Sequence, residues 1–380
     1  MVKVALARRT LLYEWRRFLP AALAIAFSGV LVLVQLGLLV GLFSTITVYV
    51  TASEGDLWAG FPGTQAIDNG RPIRAGTEVF LRLHPAVTRV EKMQWSAGDW
   101  RAPRGDRGGL TVIVTGIDTR SDGLALAHAV TPEQRRALRE PGAILADRSD
   151  LDKLGVVPGE SGEIGGQRVR VIGVTHGMRA IGAVNVVASL ETVAGLERTA
   201  TANDDVAYFL VGLVAGTDPG VVVADLAAHF PDRPFEVWTA SDLAERTLRY
   251  WILESGMGLG VAFASLIALA VGIAIASQTL SAAIVGSIRE FATLRALGVS
   301  AAALRRIVLT QSLWLALAGL LLGGTLAVLM LALARSCEVP VKIDPAITVF
   351  AALLVLVVSL VSGLLALRQL RQADPALLLR

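Results

Sequence analysis

Four apolar runs, at 18–48, 255–280, 307–334 and 347–367, contain no Asp, Glu, Lys or Arg, and they constrain this chain more than any other feature. A helix crossing the roughly 30 Å hydrocarbon layer needs about 20 mostly apolar residues. Lipid offers no partner to an exposed peptide group, so each run must satisfy its backbone internally as a helix. With 54% hydrophobic and 18% charged residues, too little charge is left to solvate an ordinary globular surface. The chain therefore reads as a membrane protein. Its first run is about twice as long as a signal-peptide core of 7–15 residues and lacks a small-x-small cleavage site, so it is read as a retained span.

Short flanking segments set the orientation. Lys3, Arg8, Arg9, Arg16 and Arg17 precede the first run; Arg289, Arg295, Arg305 and Arg306 lie between the second and third; Arg368, Arg371 and Arg380 follow the fourth. The excess of cations places segment 1–17, loop 281–306 and tail 368–380 in the cytoplasm, with 49–254 and 335–346 on the opposite side. A sequence pI near 9.3 thus reports membrane orientation rather than nucleic-acid binding. Gln35 is costly toward lipid and is expected to face a partner helix or a polar cavity. The pairs Gly37/Gly41, Gly256/Gly260 and Gly319/Gly323 each make a G-x-x-x-G spacing that lets another helix approach closely.

Between 49 and 254 the composition shifts to Gly, Pro, Asp and Arg interleaved with short β-prone runs, so a folded α+β domain is expected on the outer side. Strands are expected at 110–117, 168–174, 184–187, 206–213 and 235–239, and helices at 132–139, 221–230 and 241–250. Gly165 and Gly166 supply a hairpin turn, followed by an alternation that places Val169, Val171 and Gly173 on one face. Thr131-Pro132 and Ser241-Asp242 read as helix starts, and 147–155 as a capped short helix. The helix from 241 is expected to run through Trp251 into the second span as a stiff stalk.

No catalytic chemistry is legible. His84, His128, His176 and His229 are far apart and none lies in H-E-x-x-H or H-x-x-E-H, so no metal site is expected. There is no G-x-S-x-G, and the single cysteine, Cys337, has no activating neighbour and no disulfide partner. The lysines are Lys3, Lys92, Lys153 and Lys342, and none follows a glycine, so the phosphate-cradling G-x-x-x-x-G-K-[ST] loop is absent. The chain is expected to be non-catalytic, with no cofactor of its own.

In the loop 281–306, Ile284, Ile288, Phe291, Leu294 and Leu297 recur at three- to four-residue spacing, leaving Arg289, Glu290 and Arg295 largely off the stripe. Gly298 ends this amphipathic helix and Ser300 caps the next. Periodicity alone favours a helix lying in the lipid headgroups over one docked on a partner.

The segment Arg289-Glu290-Phe291-Ala292-Thr293-Leu294-Arg295-Ala296-Leu297-Gly298-Val299-Ser300 resembles the R-E-x-x-x-L-[RK]-A-[LM]-G-A-[ST] loop of MacB/FtsX-type ABC transporter permeases. The ending Asp374-Pro375-Ala376-Leu377-Leu378-Leu379-Arg380 is similar to that family's D-P-x-x-x-L-R tail. The arrangement of one span, a large external domain and three further spans also resembles that family. A narrower likeness to its DevC-type exporter branch rests on Ala26-Phe27, Gln35-Leu36-Gly37, Asp56-Leu57-Trp58, Tyr250-Trp251 and Gln278-Thr279-Leu280.

This resemblance implies a homodimeric inner-membrane permease with both termini cytoplasmic. ATP and Mg would be bound by a separate ABC ATP-binding subunit. Ile288, Arg289, Glu290, Phe291, Leu294, Arg295, Leu297 and Gly298 would form the coupling helix that meets it. The branch implies a periplasmic membrane-fusion protein and an outer-membrane channel as further partners, with efflux of a lipid-like or hydrophobic compound. The alternative within the family is an FtsX-like scaffold that uses the same motion to activate an external enzyme.

Overall fold

The computed structural model describes Tyr13 and residues 15–103, 109–180, 182–196, 205–231, 233–286, 293, 299–336 and 345–372. The chain divides into a helical unit, residues 1–42 and 259–380, and an inserted unit, residues 43–258. The first helix, α1 (Trp15–Ile46), carries no charged residue after Arg17 and tolerates Pro20 near its start.

The inserted unit begins with the short helix α2 (Val48–Thr51). In chain order there follow β1 (Leu57–Gly60), β2 (Ile73–Arg74), α3 (Glu78–Arg82), β3 (Val87–Arg101), β4 (Leu110–Ile117), α4 (Pro132–Ala137), β5 (Ala143–Asp147) and α5 (Leu151–Leu154). Next come β6 (Ser161–Ile164), β7 (Gln167–Thr175), β8 (Val184–Ser189), α6 (Leu190–Leu196), β9 (Asp205–Val206), β10 (Tyr208–Leu213), α7 (Pro219–His229), β11 (Glu236–Thr239) and α8 (Ala240–Arg249).

β3, with 15 residues, organises this unit because it serves two sheets. Its first half pairs antiparallel with β10, which continues through β1 to β11. Its second half pairs with β4, and the order then runs β8, β5, β7 and β6, whose Ile164 returns to Trp100 of β3. The second set is therefore a closed six-stranded barrel, an arrangement that leaves no open edge within the ring. Its interior holds Trp100, Val112, Val114, Ile144, Ala146, Ile164, Val169, Val171, Val184 and Val186, the inward residues of the alternating strands. The four-stranded sheet is covered on both faces. Leu57, Ala59, Phe209, Val211 and Val237 meet Leu81 of α3 and Val222 and Leu226 of α7. Trp58, Tyr208, Leu210 and Trp238 face the opposite way, into a second core shared with α2 and α8.

The expected strands at 110–117, 168–174, 184–187 and 235–239 occur with small shifts at their ends, while the expected strand 206–213 is divided at Ala207 into β9, which pairs with β2 in a two-stranded sheet, and β10. β1, β3 and β5 were not legible. β3 carries Glu91, Lys92 and Asp99 as well as Gly98, so its alternation is obscured by the change of partner halfway along. The turn at Gly165 (φ 57°) and Gly166 (φ 80°) forms as expected. Gly173, however, does not share a face with Val169 and Val171. The β5–β7 register shifts so that Ile144 faces Val171 and Leu145 faces Gly173, and this bulge turns Gly173 out of the barrel toward Leu145. Thr131 and Gln134 make a reciprocal capping box on α4. On α8 the cap is Thr239, which accepts the Asp242 N–H, and not Ser241, which lies one residue inside the helix.

The stalk reading is also corrected. α8 continues as a π-helical turn, Tyr250–Glu254, and closes with the Ser255 N–H donating to the Tyr250 carbonyl at 2.9 Å. The backbone then breaks at Gly256 (φ 75°), a left-handed conformation that glycine adopts freely. Only then does α9 (Met257–Gly286) begin. Gly256 is thus a break between helices and not a helix-packing residue.

The helical unit is completed by α10 (Ala301–Ser336) and α11 (Pro345–Gln372). Ser300 accepts the Ala303 N–H through its hydroxyl at the start of α10, as its position suggested. Among the described residues, three helical stretches are long and apolar enough to cross a membrane: Phe18–Ile46, Met257–Thr279 and Arg306–Ala334. In α11 the corresponding described stretch, Thr348–Val361, is shorter, so a fourth span stands as an expectation from the sequence.

Candidate functional site at the junction of the inserted unit

The inserted unit has one chain segment coming in, through α2, and one going out, through α8, and both pack over the core that its two sheets share. α2 is short because Thr47 and Thr51 follow the apolar run and return their hydroxyls to carbonyls of the preceding turn. It directs Tyr49 onto Trp95 of β3, with ring centroids 5.0 Å apart and planes at 59°. Trp95 meets Tyr208 of β10 at 5.5 Å, and Tyr208 meets Trp58 of β1 at 5.9 Å, both edge-on. Tyr49 is also hydrogen-bonded to Thr115 of β4, and burial pushes its phenol up to about 12.

The row then turns polar. Tyr208 Oη donates to the Ile67 carbonyl at 2.7 Å, and the Ile67 N–H donates to Thr247 Oγ1 of α8 at 3.1 Å. Beyond it, Trp251 Nε1 donates to Asp68 Oδ1 at 3.2 Å, and burial raises the Asp68 carboxyl above its ordinary value of 3.8. The neighbouring Arg246 donates to Glu236 at 3.2 Å and stacks over Trp238. The departing helix is thereby fixed to the four-stranded sheet and to the 3-10 turn Ile67–Asn69.

The incoming segment is held by the loop after β4. The Leu126 N–H donates to Ser53 Oγ at 2.9 Å, the Glu54 N–H to the Leu124 carbonyl at 2.9 Å, and the His128 N–H to the Ala52 carbonyl at 2.9 Å. Leu126 has φ 55°, the only positive φ outside glycine among the described residues. Two buried charges hold the loop. Glu91 of β3, fully enclosed, accepts the Leu124 N–H at 2.7 Å and the Ala125 N–H at 3.3 Å, with Arg89 and Arg120 at 3.6 and 3.3 Å. Arg135 of α4, 1% exposed, donates to the carbonyls of Asp118 (2.8 Å) and Ala125, and burial lowers its pKa. A buried charge is tolerated only when bonded and compensated in this way.

Neither buried charge is legible in the sequence. Glu91 stands among alternating polar and apolar residues, and Arg135 sits in an ordinary first turn, so both read as surface residues. The coupling residues Ile288, Arg289, Glu290, Phe291, Leu294, Arg295, Leu297 and Gly298 lie outside the described residues. In the helical unit, Gly319 and Gly323 of α10 face Ala22, Ile25 and Ala26 of α1, and Gly37 and Gly41 are buried. Gly260 is exposed, with nothing within 4 Å of where a Cβ would stand. Gln35 is half-buried. Among the described residues no three His, Cys, Asp or Glu side chains gather as a metal site.

Asp68 gives a pH-dependent expectation. Its folded pKa is raised, so the folded state binds the proton more tightly, and the folding cost of its charge is present above the raised pKa and relieved as pH falls toward 3.8. Asn retains an acceptor for Trp251 without the charge. Asp68→Asn is expected to raise the thermal midpoint at pH 7 slightly and to match wild type in acid, checked by intrinsic tryptophan fluorescence of the full chain. A fall at pH 7 would contradict the burial argument.

The helices and the inserted unit together define a membrane protein with a large mixed α/β domain between its first two apolar helices. Residues 262–375 match the family model described as FtsX-like permease C-terminal, the same family that the loop and tail motifs resemble. No curated protein matches it. Among solved structures it is similar to the periplasmic region of MacB from Actinobacillus actinomycetemcomitans, at 14% identity and TM-score 0.37, covering 52% of this chain and 94% of that one. It is also similar to the extracellular domain of the noncanonic ABC-type transporter YknZ from Gram-positive bacteria, at 15% identity and TM-score 0.33, covering 49% and 99%. A third is a domain of a permease protein from Porphyromonas gingivalis, at 11% identity and TM-score 0.32, covering 48% and 89%.

Proposed function

We propose that this chain is the permease subunit of an ABC-type exporter of the DevC-like branch, and that it transmits motion without catalysing a reaction. The observation that carries this reading is the FtsX-like match over 262–375, which spans the amphipathic segment and reaches the Asp374-Pro375 tail. A separate ABC ATPase binds ATP and Mg and closes as a dimer against the 284–298 helices of two permease copies. Ile288, Phe291, Leu294 and Leu297 fill a groove on it, while Arg289, Glu290 and Arg295 make charged contacts. Four spans with both termini in the cytoplasm carry that displacement to the inserted domain outside the inner membrane. There it drives efflux of a lipid-like or hydrophobic compound through a membrane-fusion protein and an outer-membrane channel. ATP binding shifts the equilibrium only by its differential affinity for the two states.

Affinity purification from native membranes tests the ATPase and the outer partner together. Glu290→Arg and Arg295→Glu are each expected to reduce ATPase co-purification about tenfold, the loss of one charged contact worth roughly 1.4 kcal/mol. Full retention of the complex with substrate-stimulated hydrolysis would overturn the assignment. Gly260→Leu, and Gly41→Leu beside it, are expected to weaken subunit cross-linking in detergent; unchanged cross-linking would remove those glycines from a dimer contact.

A further inference from the structure

Hydrogen bonds fix the end of the inserted unit from which the chain departs. The N–H of Ala240, the first residue of α8, donates to the Asp56 carbonyl at 3.1 Å. At the other end of α8, Arg246 donates to the Thr64 carbonyl at 3.2 Å and Trp251 to Asp68, so the helix finishes against the loop after β1. α8 therefore runs alongside β1, from the Asp56 end to the Phe61 end of the four-stranded sheet. Asp68 also lies within electrostatic reach of Tyr49 on α2, so the chain enters and leaves at that same end.

A membrane-spanning stretch starts immediately beyond. A Cβ at Gly258 would fall on the Ile252 backbone, so the first turn of α9 is packed on the π-helical turn. The apolar stretch Met257–Thr279 has 23 residues. At 1.5 Å per residue it rises about 34 Å, little more than the roughly 30 Å hydrocarbon layer. Met257 accordingly stands within about one helical turn of the layer's edge, which sets residues 250–254 at the depth of the headgroups.

The side chains at this end suit that depth. Phe61 is 37% and Leu253 57% exposed, although both are apolar. The Arg71 guanidinium lies over the Phe61 ring, 5.5 Å from its centroid, and Arg71 is itself exposed. Tyr250 and Trp251 stand edge-on at 5.9 Å, both half-buried. Rings with one apolar and one wet side collect at the lipid–water boundary, and an arginine there keeps its stem on apolar surface with its head among phosphates. Arg249 adds a second exposed cation. Of the two carboxylates at this end, Asp68 accepts the Trp251 N–H and Glu254 is exposed.

We propose that the loop 61–71 and the turn 250–254 form a footing on the surface of the bilayer that α9 crosses, with Phe61 and Leu253 set into the headgroup layer and Arg71 on lipid phosphate. The partner is the membrane surface itself. The footing holds the Phe61 end of the sheet at the lipid and leaves the opposite end, where the exposed Val214 follows β10, in water. It rests on α9 being a span, and not on the exporter reading.

Collision measurements on spin labels test it in the full chain, reconstituted in nanodiscs of phosphatidylethanolamine and phosphatidylglycerol. Cys337→Ser removes the single native cysteine, and nitroxides are placed one at a time through Phe61→Cys, Leu253→Cys, Val214→Cys and Val157→Cys. All four positions are exposed apolar residues. Oxygen concentrates in lipid and a nickel chelate in water, so the ratio of their collision rates reports depth. At 61 and 253 the ratio is expected to be about threefold or more above that at 214 and 157. A ratio at 61 equal to that at 214 would overturn the footing, and so would a lipid-like ratio at 253 alone.

Arg71→Gln is expected to lower the ratio at 61 about twofold, and Arg71→Lys to restore it, because the lysine returns the charge. An unchanged ratio in Arg71→Gln would overturn the phosphate contact and with it the footing as stated. The line shape of the Val214 label is recorded in each variant, and its constancy shows that the unit remains folded.

Discussion

Leucine in place of Gly323 is expected to lower the thermal midpoint of the purified protein in detergent by about 5 °C or more, the shift produced by roughly 2 kcal/mol in a domain of this size. The reason is geometric. A Cβ at 323 would stand 2.7 Å from the Ala26 carbonyl oxygen and 3.1 Å from Ala26 Cα, so it meets backbone and not a side chain that can swing away. One turn earlier, a Cβ at Gly319 would meet Ile25 Cγ2 at 2.5 Å and Cβ at 2.8 Å. α1 and α10 therefore touch along a stripe that only glycine permits, and a leucine must drive the helices apart. In lipid or detergent no hydrophobic gain compensates for the lost packing, since the solvent is as apolar as the side chains.

Position decides the effect, and this separates Gly323 from its neighbours. Nothing lies within 4 Å of a Cβ built at Gly324 or Gly260, so leucine there is expected to leave the midpoint within about 2 °C of wild type. If Gly324→Leu proves as damaging as Gly323→Leu, the α1–α10 stripe is not the one described. Gly260→Leu has a separate use, because an effect on cross-linking without one on stability would mark it as a contact between copies.

The glycine stripes also show how far the sequence reached. G-x-x-x-G spacing picked out Gly319 and Gly323, which face a helix of the same chain, but it equally picked out Gly256, which breaks the backbone with φ 75°. Spacing does not distinguish a glycine chosen for its missing side chain from one chosen for its left-handed backbone. Apolar runs, caps and turns were legible because each is a local preference. The strands that alternate against one partner, such as β4 and β8, were legible for the same reason. β3 was not, because its partner changes from β10 to β4 midway and its exposed and buried positions change with it. Glu91 and Arg135 were invisible because burial of a charge is decided by residues ten or more positions away, among them the backbone of Leu124 and Ala125.

Barrel closure yields the other large effect. The ring is completed by the short β3–β6 contact, where Trp100 faces Ile164 and Arg101 faces Glu163. The indole of Trp100 lies against Gly162, so that a Cβ there would overlap its Cη2 and Cζ2 and stand 3.0 Å from the Arg101 carbonyl oxygen. The ring cannot tilt away, because its Nε1 donates to the Leu154 carbonyl at 2.9 Å and it is 4% exposed.

Gly162→Ala is therefore expected to cost about 2–3 kcal/mol by overpacking, and Trp100→Ala about 3–5 kcal/mol by the cavity it leaves. The two act on the same space, so they should not add. With the indole gone, the alanine methyl at 162 enters the vacancy, and the double variant is expected to be more stable than the sum of the singles by about 1–2 kcal/mol. Urea unfolding of the full chain, followed by tryptophan fluorescence with Trp100→Phe as a spectroscopic control, measures the cycle. Additivity within about 0.5 kcal/mol would mean that the indole does not rest on Gly162. In that case β6 would not close on β3, and the barrel would be an open sheet with two free edges.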